Sequence, residues 1–247
     1  MTRGAWCKTY QVRSSSTSTS SSDGDGEDDD STISSTTSDD GDGQENIILV
    51  AYRESKTAVD WANNLNIDTV KATLGPSFMN AGNVHEGFWN SYSSTKSYMM
   101  SYLNQLVDLS KNRRIIFTGG AVAMIATLDF TFHHPQMKQH VQLITFGQPR
   151  TVQSDFLNTF NNYIKYYSRY VIRASESIKD WTGKVIISAA QDDIVTTVPP
   201  KIFGFQHAGH RIDLNCPARG IVKCHDMTLY LDALKTIMSN SLQWLPQ

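Results

Sequence analysis

The sequence predicts an α/β fold with a central, mostly parallel sheet flanked by helices. Two observations carry this. From residue 46 onward, apolar runs of strand length alternate with segments of helical periodicity, the pattern of a sheet covered on both faces. Residues 113–130, RRIIFTGGAVAMIATLDF, pass from a strand through two glycines directly into a small-residue helix. Such a strand–turn–helix unit is the context in which many hydrolases present a nucleophilic serine, in a G-x-S-x-G turn. Here no serine or cysteine stands between the two elements.

Residues 46–52, NIILVAY, form a continuous apolar run ending in charge, which reads as a buried strand. Residues 57–65 form a short amphipathic segment with Thr57 as N-cap. Residues 74–83, rich in Gly, Pro and Asn, read as a loop. Residues 92–109 fit a helix, because Met99, Leu103, Leu106 and Leu109 recur at four and three residues. Residues 114–117 are strand, 121–132 helix, 141–146 strand and 155–163 helix. Two apolar runs, 170–172 and 185–187, read as strands, and 227–238 as a helix with Leu229, Leu231, Leu234 and Ile237 apolar.

Residues 1–45 read as a disordered, low-complexity tail and 46–247 as one domain. Between residues 14 and 42 the only apolar side chain is Ile33, too little to offset the entropy of ordering. The tail also masks the charge of the domain. Ten of the 24 acidic residues lie between Asp23 and Glu45, and three of the 22 basic ones precede Asn46. The remainder carries 19 basic and 14 acidic residues. The densest basic run, 111–114, precedes a strand and reads as solvated. No nucleic-acid motif is present, and no stretch approaches the roughly 20 apolar residues of a membrane span. The first residues, MTRGAWCKTYQVRSSS, lack the apolar core of a signal peptide.

Serine ester hydrolysis needs a hydroxyl nucleophile, a histidine base, a carboxylate to orient it and donors for the oxyanion. After the two glycines, QDDIVTTVPP supplies the carboxylates Asp192 and Asp193 beyond a predicted strand, and KCHDMTLYL supplies His225 at the start of the last helix. Acid then histidine is the chain order of the α/β-hydrolase triad. Each has a plain structural alternative, Asp193 as a turn former and His225 as a helix-start group. Asp226 suits a helix cap. His207 and His210 have no accompanying carboxylate or cysteine at metal spacing, so they read as packing or hydrogen-bonding groups. No cofactor or metal is expected. Of the three cysteines, Cys216 and Cys224 enclose a short Pro- and Gly-containing segment that could bring them into a disulfide; Cys7 is the third.

Taken jointly, these segments resemble the class 3 lipases, the fungal triacylglycerol lipase-like family of α/β-hydrolases, from about residue 46 to 234. The family's early R-G-T/S-x-S-x-x-D-W looks like Arg53, Ser55, Thr57, Asp60 and Trp61 in RESKTAVDW. V-H-x-G-F-x-x-x-Y is matched by Val84, His85, Gly87, Phe88 and Tyr92, and T-F-G-x-P-R by residues 145–150, with Phe156 following. D-x-V-x-x-x-P-P is matched by Asp193, Val195, Pro199 and Pro200. Phe205, His207 and Gly209 resemble the family's aromatic-x-H-x-G, and His225 with Tyr230 its closing histidine and helix.

The resemblance implies an α/β-hydrolase fold with a truncated N-terminal part, an ester-lipid substrate such as an acylglycerol, and Asp193 and His225 as remnant acid and base. It makes Ser55 the oxyanion candidate, with Glu54 standing where the family has glycine. It places Trp61 and Leu65 on a helical lid. It also suggests secretion, in keeping with a Cys216–Cys224 bridge. The family's central T-G-H-S-L-G-G-A appears as Thr118-Gly119-Gly120-Ala121, without H-S-L-G and hence without the nucleophile. Three functions are compatible: a lipase-like protein without catalytic competence, an active ester hydrolase whose transcript carries further codons between Gly119 and Gly120, and a non-catalytic interaction module.

Overall fold

A computed structural model of the chain describes residues 5–12, 45–52, 67–107, 113–173, 178–179, 185–187, 193–215 and 223–242. Its centre is a six-stranded sheet in the order β1-β2-β5-β6-β7-β10. The strands are β1 (Ala5–Val12), β2 (Glu45–Tyr52), β5 (Arg113–Gly119), β6 (Val141–Phe146), β7 (Tyr166–Arg173) and β10 (His210–Asn215). β2, β5, β6, β7 and β10 run parallel, and β1 pairs antiparallel with β2. β5 is therefore interior, hydrogen-bonded on both edges. Its alternate residues Ile115 and Phe117 are fully buried.

β1 corrects the boundary drawn at residue 46. Its eight residues, AWCKTYQV, pair with all eight of β2, so part of the stretch assigned to the tail is an edge of the sheet. Aromatic and β-branched residues there favour a pleated strand, and the compositional argument applied only to the polar run after it. Residues 13–44 lie outside the described residues.

Two further pairs stand apart. β3 (Thr69–Leu74) and β4 (Met79–His85) form an antiparallel hairpin, where a loop was expected for 74–83. The turn residues at its tip account for that composition, with Gly75 at φ +72 and Phe78 at φ +50. β8 (Ile178–Lys179) pairs with β9 (Val185–Ile187); the strand expected at 185–187 thus exists but outside the central sheet. β10, by contrast, was not expected, because HRIDLN mixes charge with few apolar residues. It is an edge strand, where one face meets solvent.

α1 (Glu86–Leu106) begins earlier than the predicted 92–109 because His85 caps it, Nδ1 accepting from the Gly87 N–H at 3.1 Å. α2 (Ala121–His133) is apolar nearly all round and central to the core, with ten buried residues. α3 (Ser154–Tyr163) buries Phe156 and Phe160, and α4 (Met227–Leu242) closes the fold. One buried carboxylate, Asp129 on α2, joins several elements. It accepts from the Gly75 N–H at 2.6 Å and from the Tyr92 hydroxyl of α1, and pairs with Lys96 Nζ at 2.8 Å. Burial, and then the Asp129 charge, raise the Tyr92 pKa well above the ordinary tyrosine value, so its hydroxyl stays a donor.

Candidate active site

Parallel strands deliver their following loops to one edge of the sheet, where α/β proteins place ligands. β5 and β6 are neighbours, with Gly119 opposite Thr145, so the segments after them meet at that edge. The turn after β6 begins at Gly147, φ +55, whose N–H donates to the Tyr170 carbonyl at 3.0 Å. A Cβ on Gly147 would stand 2.6 Å from Asp193 Oδ2 and 2.9 Å from His225 Nδ1 and Cε1. The acid and the histidine therefore pack directly on the Gly147 backbone.

Asp193 is fully buried. Its N–H donates to Ile172 O at 3.1 Å, anchoring it to the end of β7. Oδ1 accepts from Val195 N at 3.0 Å, capping the 3-10 turn Ile194–Thr197. Oδ2 accepts from the Tyr230 hydroxyl at 2.6 Å and pairs with His225 Nδ1 at 2.9 Å. The His225 side chain is 13% exposed. An ionised carboxylate only accepts, so it assigns the proton of a neutral ring to Nδ1 and the ring's basicity to Nε2. This is the geometry of a histidine base oriented by an acid. Asp226 next to it caps α4, Oδ1 accepting from Thr228 N at 2.9 Å and Thr228 Oγ1 at 2.7 Å. Those bonds lower its pKa.

The strand-to-helix connection is different. β5 ends at Gly119 and α2 starts at Ala121, so Gly120 alone makes the turn and gives the helix no side-chain cap. Gly119, φ +133, lies so close to β2 that a Cβ would meet Tyr52 O at 2.5 Å. Thr118, the nearest hydroxyl in sequence, sits in the ladder opposite Ala51 and Ile144. Residues 119–123 are Gly, Gly, Ala, Val and Ala; none carries a nucleophile. The first N–H groups of α2 make a positive helix end at the same sheet edge as the dyad.

The remaining motifs bind the loops of this edge to one another. Gln148 is buried; Nε2 donates to Thr151 Oγ1 at 3.1 Å and meets Met124 Sδ on α2 at 3.3 Å, while Oε1 accepts from Thr145 Oγ1 at 2.9 Å and from Tyr167. Arg150 donates to the carbonyls of Thr197 and Pro199, the latter at 2.8 Å. The His85 N–H donates to Thr151 O at 2.9 Å, and its ring packs on Phe88 and Phe205 at 4.6 and 5.6 Å. His207 Nε2 engages Thr196 O at 2.8 Å, while His210 opens β10 on the exposed surface. Motif matching alone assigned no role to Gly147, Gln148 or Arg150, and marked Tyr230 only as an aromatic. The glycine ending an apolar strand was the signal available for Gly147.

Ser55, Trp61 and Leu65 lie outside the described residues, as does Cys216. Cys224 is buried and disulfide-bonded. Among the described residues no three His, Cys, Asp or Glu side chains could hold a metal ion, and no helix is long and apolar enough to cross a membrane.

Residues 49–203 match the family model for lipase (class 3). The lipase of Rhizomucor miehei is 25% identical over 170 residues, spanning 67% of this chain and 41% of that protein. Its structure as a propeptide complex has a TM-score of 0.54 at 23% identity, over 68% of this chain and 49% of that one. Lipase II from Rhizopus niveus gives 0.53 at 19% identity, over 71% and 59%. The chain spans about half the length of these relatives. At such identities the structural likeness establishes the α/β-hydrolase fold.

Proposed function

The chain belongs to the class 3 lipase family, and from that premise we propose that it is a lipase-like protein that engages ester lipids without hydrolysing them. The observation that carries this reading is the one-residue passage from β5 to α2. Acyl transfer requires an oxygen or sulfur nucleophile within roughly 3 Å of the histidine nitrogen that takes its proton. Residues 119–123 bring no such atom to the sheet edge. The residue that would follow the serine, and give an oxyanion N–H, is missing with it. A misplacement of even about 1 Å costs on the order of a hundredfold in rate, so Thr118 in the β5 ladder is no substitute.

The acid–base half favours a second reading. Asp193 takes three donors and is wholly buried, an arrangement costly to maintain unless each partner is present. A dyad this well satisfied is what an active triad would need. Under that reading the encoding transcript supplies an H-S-x-G-like segment between Gly119 and Gly120, and the protein hydrolyses acylglycerols through the added serine, His225 and Asp193.

One experiment separates the two. The purified chain is assayed against a short-chain nitrophenyl ester, beside a version with His-Ser-Leu-Gly inserted after Gly119 and the His225→Ala variant of each. We expect no turnover from the chain itself above its His225→Ala variant, and His225-dependent turnover from the inserted form. Hydrolysis by the unaltered chain that His225→Ala abolishes would overturn the non-catalytic reading. Transcript sequencing across codons 119–120 tests the second reading directly. Binding of a fluorescent fatty-acid or monoacylglycerol probe by the unaltered chain tests the lipid engagement; its absence would leave an interaction module.

A further inference from the structure

The edge of the sheet beyond the dyad carries an unusual concentration of positive charge. Arg169 and Arg173 lie on one face of β7, and Arg211 on β10 is register partner to Arg169. Like charges directly opposite in a sheet repel. With Arg150, Lys201 and His207 they line a cavity of about 520 Å³, within the roughly 300–1,000 Å³ of small-ligand sites. Asp193 and His225 are not among its walls.

The deepest of these cations is the most exposed energetically. Arg169 is 6% exposed, and its Nε is buried with no hydrogen-bond partner among the described residues. Arg150 Nε and His207 Nδ1 are in the same condition. Asp213 is the one carboxylate bonded to the cluster among the described residues. It pairs with Arg211 at 2.5 Å and lies 3.9 Å from Arg173 Nε, about half exposed at the rim. Burial lowers the pKa of Arg169 and of Arg150, and burial followed by the charge of Arg169 lowers that of His207. Among the described residues that line the cavity none is a carboxylate.

We propose that this cavity binds a phosphate group, free or at the end of a lipid headgroup. Guanidinium forks match the oxygen geometry of phosphate and carboxylate alike. Among the described residues the charge decides between them: Arg150, Arg169, Arg211 and Lys201 stand against one rim carboxylate, a balance that calls for a dianion with oxygens pointing several ways, which a monocarboxylate is not. A phosphate seated there would accept from the guanidinium groups that line the cavity and offset the facing charges of Arg169 and Arg211. The site is distinct from the Asp193–His225 pair and does not rest on any activity there.

The test is thermal denaturation of the full 247-residue chain in sodium phosphate and in sodium chloride at matched pH and ionic strength. It is paired with sedimentation on vesicles containing phosphatidic acid, a phosphate monoester, or phosphatidylglycerol, a diester. We expect the midpoint to rise saturably with phosphate, Arg169→Met to abolish that rise, and Lys201→Ala to need roughly tenfold more phosphate for it. Arg169→Met itself should melt no lower than the parent in chloride, since it removes a buried uncompensated charge. Preference for phosphatidic acid vesicles that free phosphate competes away would assign a headgroup; a phosphate response without that preference would assign a soluble phosphate. The proposal is overturned if phosphate and chloride act alike and the two vesicles bind alike, or if the response survives Arg169→Met. Should Arg169→Met fail to fold, an undiminished response in Lys201→Ala overturns it.

Discussion

Two residues decide how the Asp193–His225 pair is held. Gly147 is the floor on which Asp193 and His225 rest, and Gly147→Ala forces a Cβ to within 3 Å of both in a left-handed backbone. In the chain carrying the His-Ser-Leu-Gly insertion, we expect this variant to lose on the order of a hundredfold in kcat while the fold persists, as read by ester assays beside circular dichroism. Tyr230 donates to the buried Asp193 carboxylate. Tyr230→Phe leaves one acceptor site unpaired and should cost about 1–3 kcal/mol in urea unfolding. His207 acts through its proton. Burial pushes its pKa down to about 3, against about 6.5 in an unfolded chain. The native state therefore keeps His207 neutral while the unfolded state takes up a proton below pH 6.5. Its contribution to stability is complete above that pH and declines as pH falls toward 3, by up to about 1.4 kcal/mol per unit. His207→Gln should flatten the dependence of unfolding free energy on pH across that window. A variant that keeps the parent slope would show that another group sets it.

At the scale of elements, the hairpin and the helices are locked by close backbone approach. β4 meets α3 at Gly82, φ +112, where a Cβ would lie 2.1 Å from Phe156 N. Asn83 ties the same junction, its N–H and Nδ2 donating to the Asp155 carboxylate at 3.0 and 2.9 Å. Gly82→Ala cannot relax by moving a side chain, because the obstacle is backbone. We expect a loss of roughly 3 kcal/mol or more, seen as a lower urea midpoint or as failure to obtain soluble protein. The hairpin itself was hidden in the sequence. Gly75, Gly82 and the asparagines read as loop chemistry, yet Gly75 forms the tip and Gly82 permits a strand to touch a helix. Helical elements were easier to read, since the period of α1 and the unbroken apolar face of α2 need no partner to be recognised.

At the scale of the whole molecule, the sheet extends across what composition marked as a boundary. β1 covers the outer edge of β2, and an uncovered strand edge is a template for association. Removing residues 1–12 should lower the thermal midpoint and promote oligomers, which size-exclusion chromatography with light scattering would detect. An unchanged monomer peak and midpoint would show that β2 tolerates an open edge. The sequence by itself determined the alternation of strands and helices, the family resemblance, and the lack of a serine or cysteine between Thr118 and Ala121, because hydrophobic period, motif order and residue identity are local properties of the chain. It also named Asp193 and His225. Only the tertiary structure decided that the two meet at 2.9 Å, with Gly147 beneath them and Tyr230 beside them. It alone placed β1 on the sheet and gathered Arg150, Arg169, Lys201 and Arg211 around one cavity. Those facts depend on which distant segments become neighbours. The charges that face each other across β7 and β10 are more than 40 residues apart in the chain, and no local pattern records a contact made only when the sheet closes.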